Sequence, residues 1–410
     1  MRKYGVLIVD DSAFMRRAVG LLVERDPAFF VAGIARNGQE ALEKLKRLAP
    51  DVVTMDVEMP GMDGLQALER IMREHPVPVV MLSNQTGEGT QATIRALELG
   101  AVDFFLKETL ISDAPDEGAL RDFHARLKIA ATAKVAGVMP AAGPAGTAEP
   151  PASGPSGQVR SAGPAGSAGC AGPNGRAGSA VQAGPAGPNG PAGSAVQAGP
   201  AGLDAPSGTG AASPGRAGSG RPAYDLLVIG CSTGGPSALQ AILPRFPADY
   251  PAAMIVVQHM PPGFTGALAE RFNTICGLRV KEAEEGDPLA PGTIYFAPSG
   301  YQTTARRLAD GRVVLHVDEE PDMLYRPSVD VTLNSAAPIY RNRMLAVVLT
   351  GMGQDGLEGC RRVKAHGGLV LTEAEESCVV YGMPKVVHEA GLSDAQAALP
   401  AMFSGIMSFL

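Results

Sequence analysis

The chain has 410 residues, enough for two or three domains, and its 45% hydrophobic content is ample for more than one core. A net charge of -7, with no cluster of basic residues, excludes a nucleic-acid-binding protein. Five scattered cysteines without a C-x-x-C pair fit neither a disulfide framework nor a zinc site, and no apolar run reaches the length of a membrane span.

From Tyr4 onward, strand-like runs alternate with helical ones. "YGVLIV", "FVAGIA", "DVVTMD", "VPVVMLS" and "AVDFFLK" read as strands, and "FMRRAVGLLVERD", "GQEALEKLKRL", "GLQALERIMREH" and "TQATIRALELG" carry apolar residues at three- and four-residue spacing. This β–α alternation predicts a doubly wound parallel sheet over residues 1–136. From 137 to 222 large apolar residues nearly vanish. A Gly/Ala/Pro tract that cannot offset its ordering entropy by burial is expected to be a disordered linker. Glycine recurs at every third position from Gly163 to Gly178, but Val181 and Val196 break the period where a collagen helix tolerates only glycine. Over 223–410 the alternation resumes, with strands in "YDLLVIG", "AAMIVVQH", "GTIYFAP", "LAVVLTG" and "GLVLTEA". Helices follow in "PSALQAILPRF", "GALAERFNTIC", "SVDVTLNSAA" and "LEGCRRVKAH". A second doubly wound α/β domain is predicted there.

In open parallel sheets, functional groups gather at the carboxyl ends of the strands. In the first domain those ends carry Asp10 and Asp11, Asp56, Ser83 and Lys107. Three converging carboxylates repel one another unless a hard cation lies among them, and Mg²⁺ prefers such oxygen ligands. A lysine beside them can neutralise a bound anion, and a serine can donate to its oxygens. With "DVEMPGMDG", these residues resemble the receiver domain of bacterial response regulators. The resemblance implies that Asp56 accepts a phosphoryl group from a histidine kinase. It also implies that Asp11, Asp56 and the Glu58 carbonyl ligate Mg²⁺, that Asp10 acts through water, and that Ser83, Phe104 and Lys107 form the switch. One departure stands out: Glu108 follows Lys107, where the family has proline in a cis bond.

In the second domain, "GCSTG" fits the G-x-S-x-G elbow between a strand and a helix, with Ser232 as the central residue and Cys231 on the flank. A dinucleotide loop competes for this stretch, but G-x-G-x-x-G fails because Ser232 replaces its second glycine. The next strand then ends on Gln258 and His259 rather than on the acidic residue that loop requires. Of six histidines, His75, His366 and His388 fall in last helical turns, while His124 on a helix and His316 in a strand have ordinary surface readings. Only His259 ends a central strand beside the elbow, and "LTGMGQDG" supplies an orienting carboxylate, Asp355. These are the nucleophile, base and orienter of an acyl-transfer site.

"IGCSTGGP", "VVQHMPPGFT", "RPSVDV", "LTGMGQDG" and "SCVVYGMP" together resemble the catalytic domain of the chemotaxis protein-glutamate methylesterase/protein-glutamine glutaminase family. The resemblance implies hydrolysis of glutamate γ-methyl esters, and deamidation of glutamines, on methyl-accepting chemoreceptors. It implies oxyanion donation by the amides near Thr233 and Met352, no cofactor in the esterase domain, and a monomeric, cytoplasmic enzyme without membrane insertion. In that family the unmodified receiver covers the catalytic face and phosphorylation uncovers it. The tract before the esterase domain looks longer than the family's usual linker, and Cys231 stands where alanine is common. Two rivals stand beside this reading: a receiver-switched pseudo-enzyme that only binds a partner, and a receiver-coupled esterase for some other ester.

Overall fold

The computed structural model describes residues 2–110, 117–133, 224–320 and 323–410. The expected linker, and the boundaries expected at 136/137 and 222/223, lie outside the described residues. The N-terminal part runs β1 (Tyr4–Val9), α1 (Ala13–Glu24), β2 (Phe29–Ala35), α2 (Gly38–Leu48), β3 (Val52–Asp56), α3 (Gly64–Glu74), β4 (Val79–Ser83), α4 (Gly87–Glu98) and β5 (Asp103–Leu106). A single turn, α5 (Lys107–Leu110), and α6 (Glu117–Thr132) complete it. The helices start where the sequence supplies caps: Asn37 accepts from the Glu40 amide (2.9 Å), Asp63 from Gln66 (2.8 Å) and Thr86 from Gly89 (2.9 Å). The sheet is parallel throughout, ordered β2-β1-β3-β4-β5, and β3 and β4 are buried along their whole length. Helices on both faces explain why these strands read as continuous apolar runs rather than alternating ones.

The C-terminal part runs β6 (Leu226–Cys231), α7 (Gly235–Ile242), β7 (Ala253–Gln258), α8 (Phe264–Ile275), β8 (Arg279–Glu282), β9 (Thr293–Phe296), β10 (Gln302–Arg307) and β11 (Val313–Asp318). It continues with α9 (Val329–Tyr340), β12 (Met344–Val348), α10 (Leu357–Ala365), β13 (Leu369–Glu373), α11 (Met383–Glu389), β14 (Ala395–Ala397) and α12 (Leu399–Met407). Seven parallel strands form one sheet, β14-β13-β12-β6-β7-β9-β8, and β10 and β11 make a separate antiparallel hairpin. Both parts are thus doubly wound α/β, as predicted, and they lie in one compact unit. In each, the chain leaves its first strand in both directions across the sheet, which opens a crevice at the carboxyl ends of β1 and β3, and of β6 and β12. No helix among the described residues is long and apolar enough to cross a membrane.

One expectation fails. His124 is half-buried rather than an ordinary surface side chain: its Nε2 lies 2.7 Å from the Leu22 carbonyl and its ring stacks on Phe29 (6.2 Å), so it fastens α6 to the end of α1.

Candidate active site

The receiver-like crevice brings together Asp10, Asp11, Asp56 and Lys107 of the residues its strand ends suggested. Asp10 is fully buried, and Asp56 and Ser83 are nearly so. Lys107 Nζ stands 2.7 Å from Asp56 Oδ1 and 3.2 Å from Asp10 Oδ2. Asp10, Asp11 and Asp56 can present oxygens that all lie within 4.8 Å of one another. Burial raises the Asp56 carboxyl to about 6; the nearby Asp10 charge adds to this, and Lys107 works against it. Asp10 Oδ2 is buried, and the Lys107 ammonium is its one polar neighbour among the described residues. Three buried or converging carboxylates facing a single lysine are a donor set that suits a hard dication. Glu58 is exposed, and its amide donates to Asp56 Oδ1 (3.2 Å).

Ser83 Oγ bonds Thr93 Oγ1 of α4 (2.7 Å), so it faces that helix and not Asp56. Phe104 is buried, and its ring packs on Phe264, the first residue of α8, at 4.7 Å. Glu108, the departure from the family pattern, accepts a hydrogen bond from the Gln85 amide (3.1 Å). The Gln85 side chain in turn donates to the Pro262 carbonyl (3.2 Å), three residues beyond His259.

In the C-terminal crevice, β6 delivers Ser232 into a tight turn before α7. Gly234 takes φ 80°, which a side chain would oppose. Gly351 lies so close that a Cβ there would stand 2.9 Å from Ser232 Cβ and 2.4 Å from Met383 Sδ, so only glycine lets this loop approach the elbow. Cys231 points away: it is fully buried, its Sγ donates to Gln258 Oε1 (3.0 Å), and burial pushes its thiol far above the ordinary range.

His259 Nε2 lies 2.8 Å from Asp355 Oδ2. Asp355 is buried and accepts three further hydrogen bonds, from the Val329 amide (2.7 Å), Ser328 Oγ (2.8 Å) and the Asp330 amide (3.0 Å). Its carboxylate therefore sits at the N-terminus of α9, where the helix dipole favours negative charge. Burial alone would raise the Asp355 carboxyl. The His259 bond and charge, with the Asp330 and Val329 amides, outweigh burial and hold it below the ordinary carboxylate range. An ionised Asp355 can only accept, so His259 Nε2 is the donor of this bond. Nδ1 is buried and has no hydrogen-bond partner among the described residues, so it is not bonded to Ser232 in this conformation.

The Thr233 and Met352 amides donate to no group among the described residues, whereas their neighbours Ser232, Gly235 and Gly351 all do. Four residues to which the sequence assigned no role in the site hold this geometry. Gln258 Nε2 donates to the carbonyls of Ser232 (3.0 Å) and His259 (2.9 Å), tying the two loops together. Thr350 Oγ1 donates to the Thr233 carbonyl (3.0 Å), while buried Glu373 accepts from the Thr350 amide (2.8 Å). The Tyr325 ring lies flat on the His259 imidazole, 4.5 Å away and 3° from parallel.

Ser232, Thr233, His259 and Met352 face a cavity of about 370 Å³ whose opposite wall comes from the receiver-like part, including Asp103, Phe104 and Arg126. Asp103 is held by Arg126 (3.0 and 2.5 Å), and its Oδ2 accepts a bond from Thr233 Oγ1 (2.9 Å). Ser237 Oγ donates to the Leu97 carbonyl (2.9 Å), and Arg271 Nε pairs with Glu98 Oε1 (2.5 Å). Hydrogen bonds, an ion pair and the Phe104–Phe264 contact thus close the receiver over the serine.

A model of the CheB methylesterase family matches residues 227–406, and a model of the response regulator receiver domain matches residues 6–114. The protein-glutamate methylesterase/protein-glutamine glutaminase 1 of Oleidesulfovibrio alaskensis is 40% identical over 412 residues, covering 98% of this chain and 98% of its own. The protein-glutamate methylesterase/protein-glutamine glutaminase of Symbiobacterium thermophilum is 43% identical over 400 residues, covering 97% of this chain and 94% of its own. The crystal structure of the Thermotoga maritima CheB methylesterase catalytic domain is 42% identical and aligns to 46% of this chain and 99% of its own, with a TM-score of 0.44. The chain therefore belongs to the CheB methylesterase family, with a response regulator receiver domain preceding its methylesterase domain.

Proposed function

We propose that this chain hydrolyses glutamate γ-methyl esters on methyl-accepting chemoreceptors, deamidates receptor glutamines, and is switched on by phosphorylation of its receiver. It works as a monomer in the cytoplasm, with a chemotaxis histidine kinase as phosphodonor. The observation that carries the reading is the buried His259–Asp355 pair, whose unpartnered Nδ1 shares a cavity with Ser232. In acylation, His259 Nδ1 takes the Ser232 Oγ proton as Oγ attacks the ester carbonyl carbon. The oxyanion is met by the Thr233 and Met352 amides. Collapse breaks the bond to methoxide, which leaves as methanol with the proton held on Nδ1. Water then attacks the Ser232 ester with His259 again as base, and glutamate is released. With glutamine the leaving group is ammonia and the remaining steps are the same.

In the receiver, Asp56 accepts the phosphoryl group and Lys107 neutralises its oxygens. Asp11, Asp56 and the Glu58 carbonyl would hold Mg²⁺, with Asp10 acting through water. When bound, the ion supplies neutralisation of the charge gathered on the phosphoryl oxygens. Ser83 turning from Thr93 toward the phosphoryl group would release α4, and Phe104 would then leave Phe264. Methanol release from methylated receptor membranes tests the reading. Wild type should release methanol, faster with a phosphodonor, and Ser232→Ala should lose at least ~10⁴-fold. Release undiminished by Ser232→Ala would refute it.

A further inference from the structure

Among the described residues of 224–410, three large apolar side chains are exposed: Tyr301 (40%), Met323 (38%) and Leu324 (86%). Scattered exposed hydrophobics need no explanation, but these three are gathered in one place. The Gly300 amide donates to the Arg326 carbonyl (3.0 Å) and Gln302 Nε2 to the Tyr325 carbonyl (2.6 Å), stitching 300–302 to 323–326. Leu324, Tyr325 and Arg326 form the rim of the cavity that holds Ser232 and His259.

Arg326 is the second notable feature of this rim. The other arginine at the cavity, Arg126, is paired with Asp103 and Asp122, whereas the exposed Arg326 guanidinium makes no hydrogen bond or ion pair with any of the described residues. The chain carries a net charge of -7, so its overall field repels an acidic partner, and a cation on the rim of the cavity that holds the serine offsets that repulsion locally. Upstream, the exposed carboxylates of Asp318, Glu319 and Glu320 disfavour an acidic segment laid down out of register.

We propose that Tyr301, Met323, Leu324 and Arg326 form a docking lip for the protein segment that carries the ester. The occupant is a helix that sets an apolar side chain on Leu324 and a glutamate carboxylate, adjacent to the esterified residue, on Arg326. The inference rests on the methylesterase reading and deepens it, because a glutamate-rich helix matches both halves of the lip. A charged rim contact of this kind acts on substrate choice and salt sensitivity more than on the chemical step.

The test uses the full-length chain, activated with acetyl phosphate and Mg²⁺, on two synthetic helical peptides. Each carries one glutamate γ-methyl ester, flanked by glutamates in the first and by alanines in the second. Wild type should favour the glutamate-flanked peptide by about tenfold in kcat/KM, mainly through KM, and the preference should shrink as salt is raised. Arg326→Gln should abolish both the preference and its salt dependence. Leu324→Ser should lower turnover of both peptides relative to a small activated ester. A tenfold preference that survives in Arg326→Gln overturns the lip alone. Absence of methanol from either peptide, with the small ester still hydrolysed, overturns the methylesterase reading and the lip with it.

Discussion

The ion pair between Arg271 of α8 and Glu98 of α4 offers a way to loosen the receiver without touching any group beside the serine. Arg271→Glu replaces a 2.5 Å attraction with a like-charge contact, and the side chains are 37% and 10% exposed. An ion pair this accessible to water contributes ~0.2–1 kcal/mol to closure. Two like charges about 4 Å apart in a watery setting cost ~1 kcal/mol more. A combined change of about 1.5 kcal/mol shifts the closed-to-open equilibrium by about tenfold. While the closed form dominates, basal turnover follows the open fraction, so methanol release without phosphodonor should rise about tenfold in Arg271→Glu. The fully phosphorylated rate should stay the same, and the gain on phosphorylation should shrink by the same factor. Glu98→Arg in the same chain should restore closure in part, since the new arginine also faces Arg95, the former partner of Glu98. An unchanged basal rate in Arg271→Glu, or a double variant indistinguishable from the single one, would refute the idea that this contact holds the receiver shut.

Three further outcomes are expected. Cys231→Ala should keep most activity and iodoacetamide should not inactivate the wild type, because the thiol is fully buried and its ionisation strongly suppressed; rapid inactivation by alkylation at Cys231 would argue for a thiol enzyme. Asp355→Asn should lower kcat by ~10²–10⁴, because the amide either loses the charge facing His259 Nε2 or turns its NH₂ there and moves the proton to Nδ1; near-normal kcat with the fold intact would count against the base assignment. Asp56→Asn should abolish the rise in esterase rate produced by acetyl phosphate and Mg²⁺; an equal rise in both proteins would place the control elsewhere.

The two sheets were legible because parallel strands buried on both faces stand out as short apolar runs. The candidate site residues were legible because such sheets present side chains at the carboxyl ends of those runs. Elements without that signature escaped notice. Strand β8 is an edge strand written "RVKE", β14 has three residues, and β10 reads "QTTARR", with little apolar alternation. The groups that orient the site were invisible for a different reason. Ser328 and Asp330 reach Asp355 across 27 and 25 residues, and Glu373 reaches Thr350 across 23. Nothing local to those positions distinguishes such a bond from a solvated polar side chain. His124 misled in the same way, since its partner, Leu22, lies 102 residues back.

The order of the central strands has a consequence for how the enzyme comes into being. Ser232 follows β6, whereas His259 and Asp355 follow β7 and β12, the strands on either side of it. The His259–Asp355 bond therefore arches over the end of the strand that carries the serine. It bridges two inter-strand spacings, about 10 Å at the backbone. The three strands start at residues 226, 253 and 344, so the bond can form only after some 90 intervening residues are in place. Contacts of such long range form slowly, and a one-residue slip of β6 would turn Ser232 to the wrong face. No partly assembled sheet can hydrolyse an ester, and recovery of activity on refolding should be among the last signals to return, after the helices have formed.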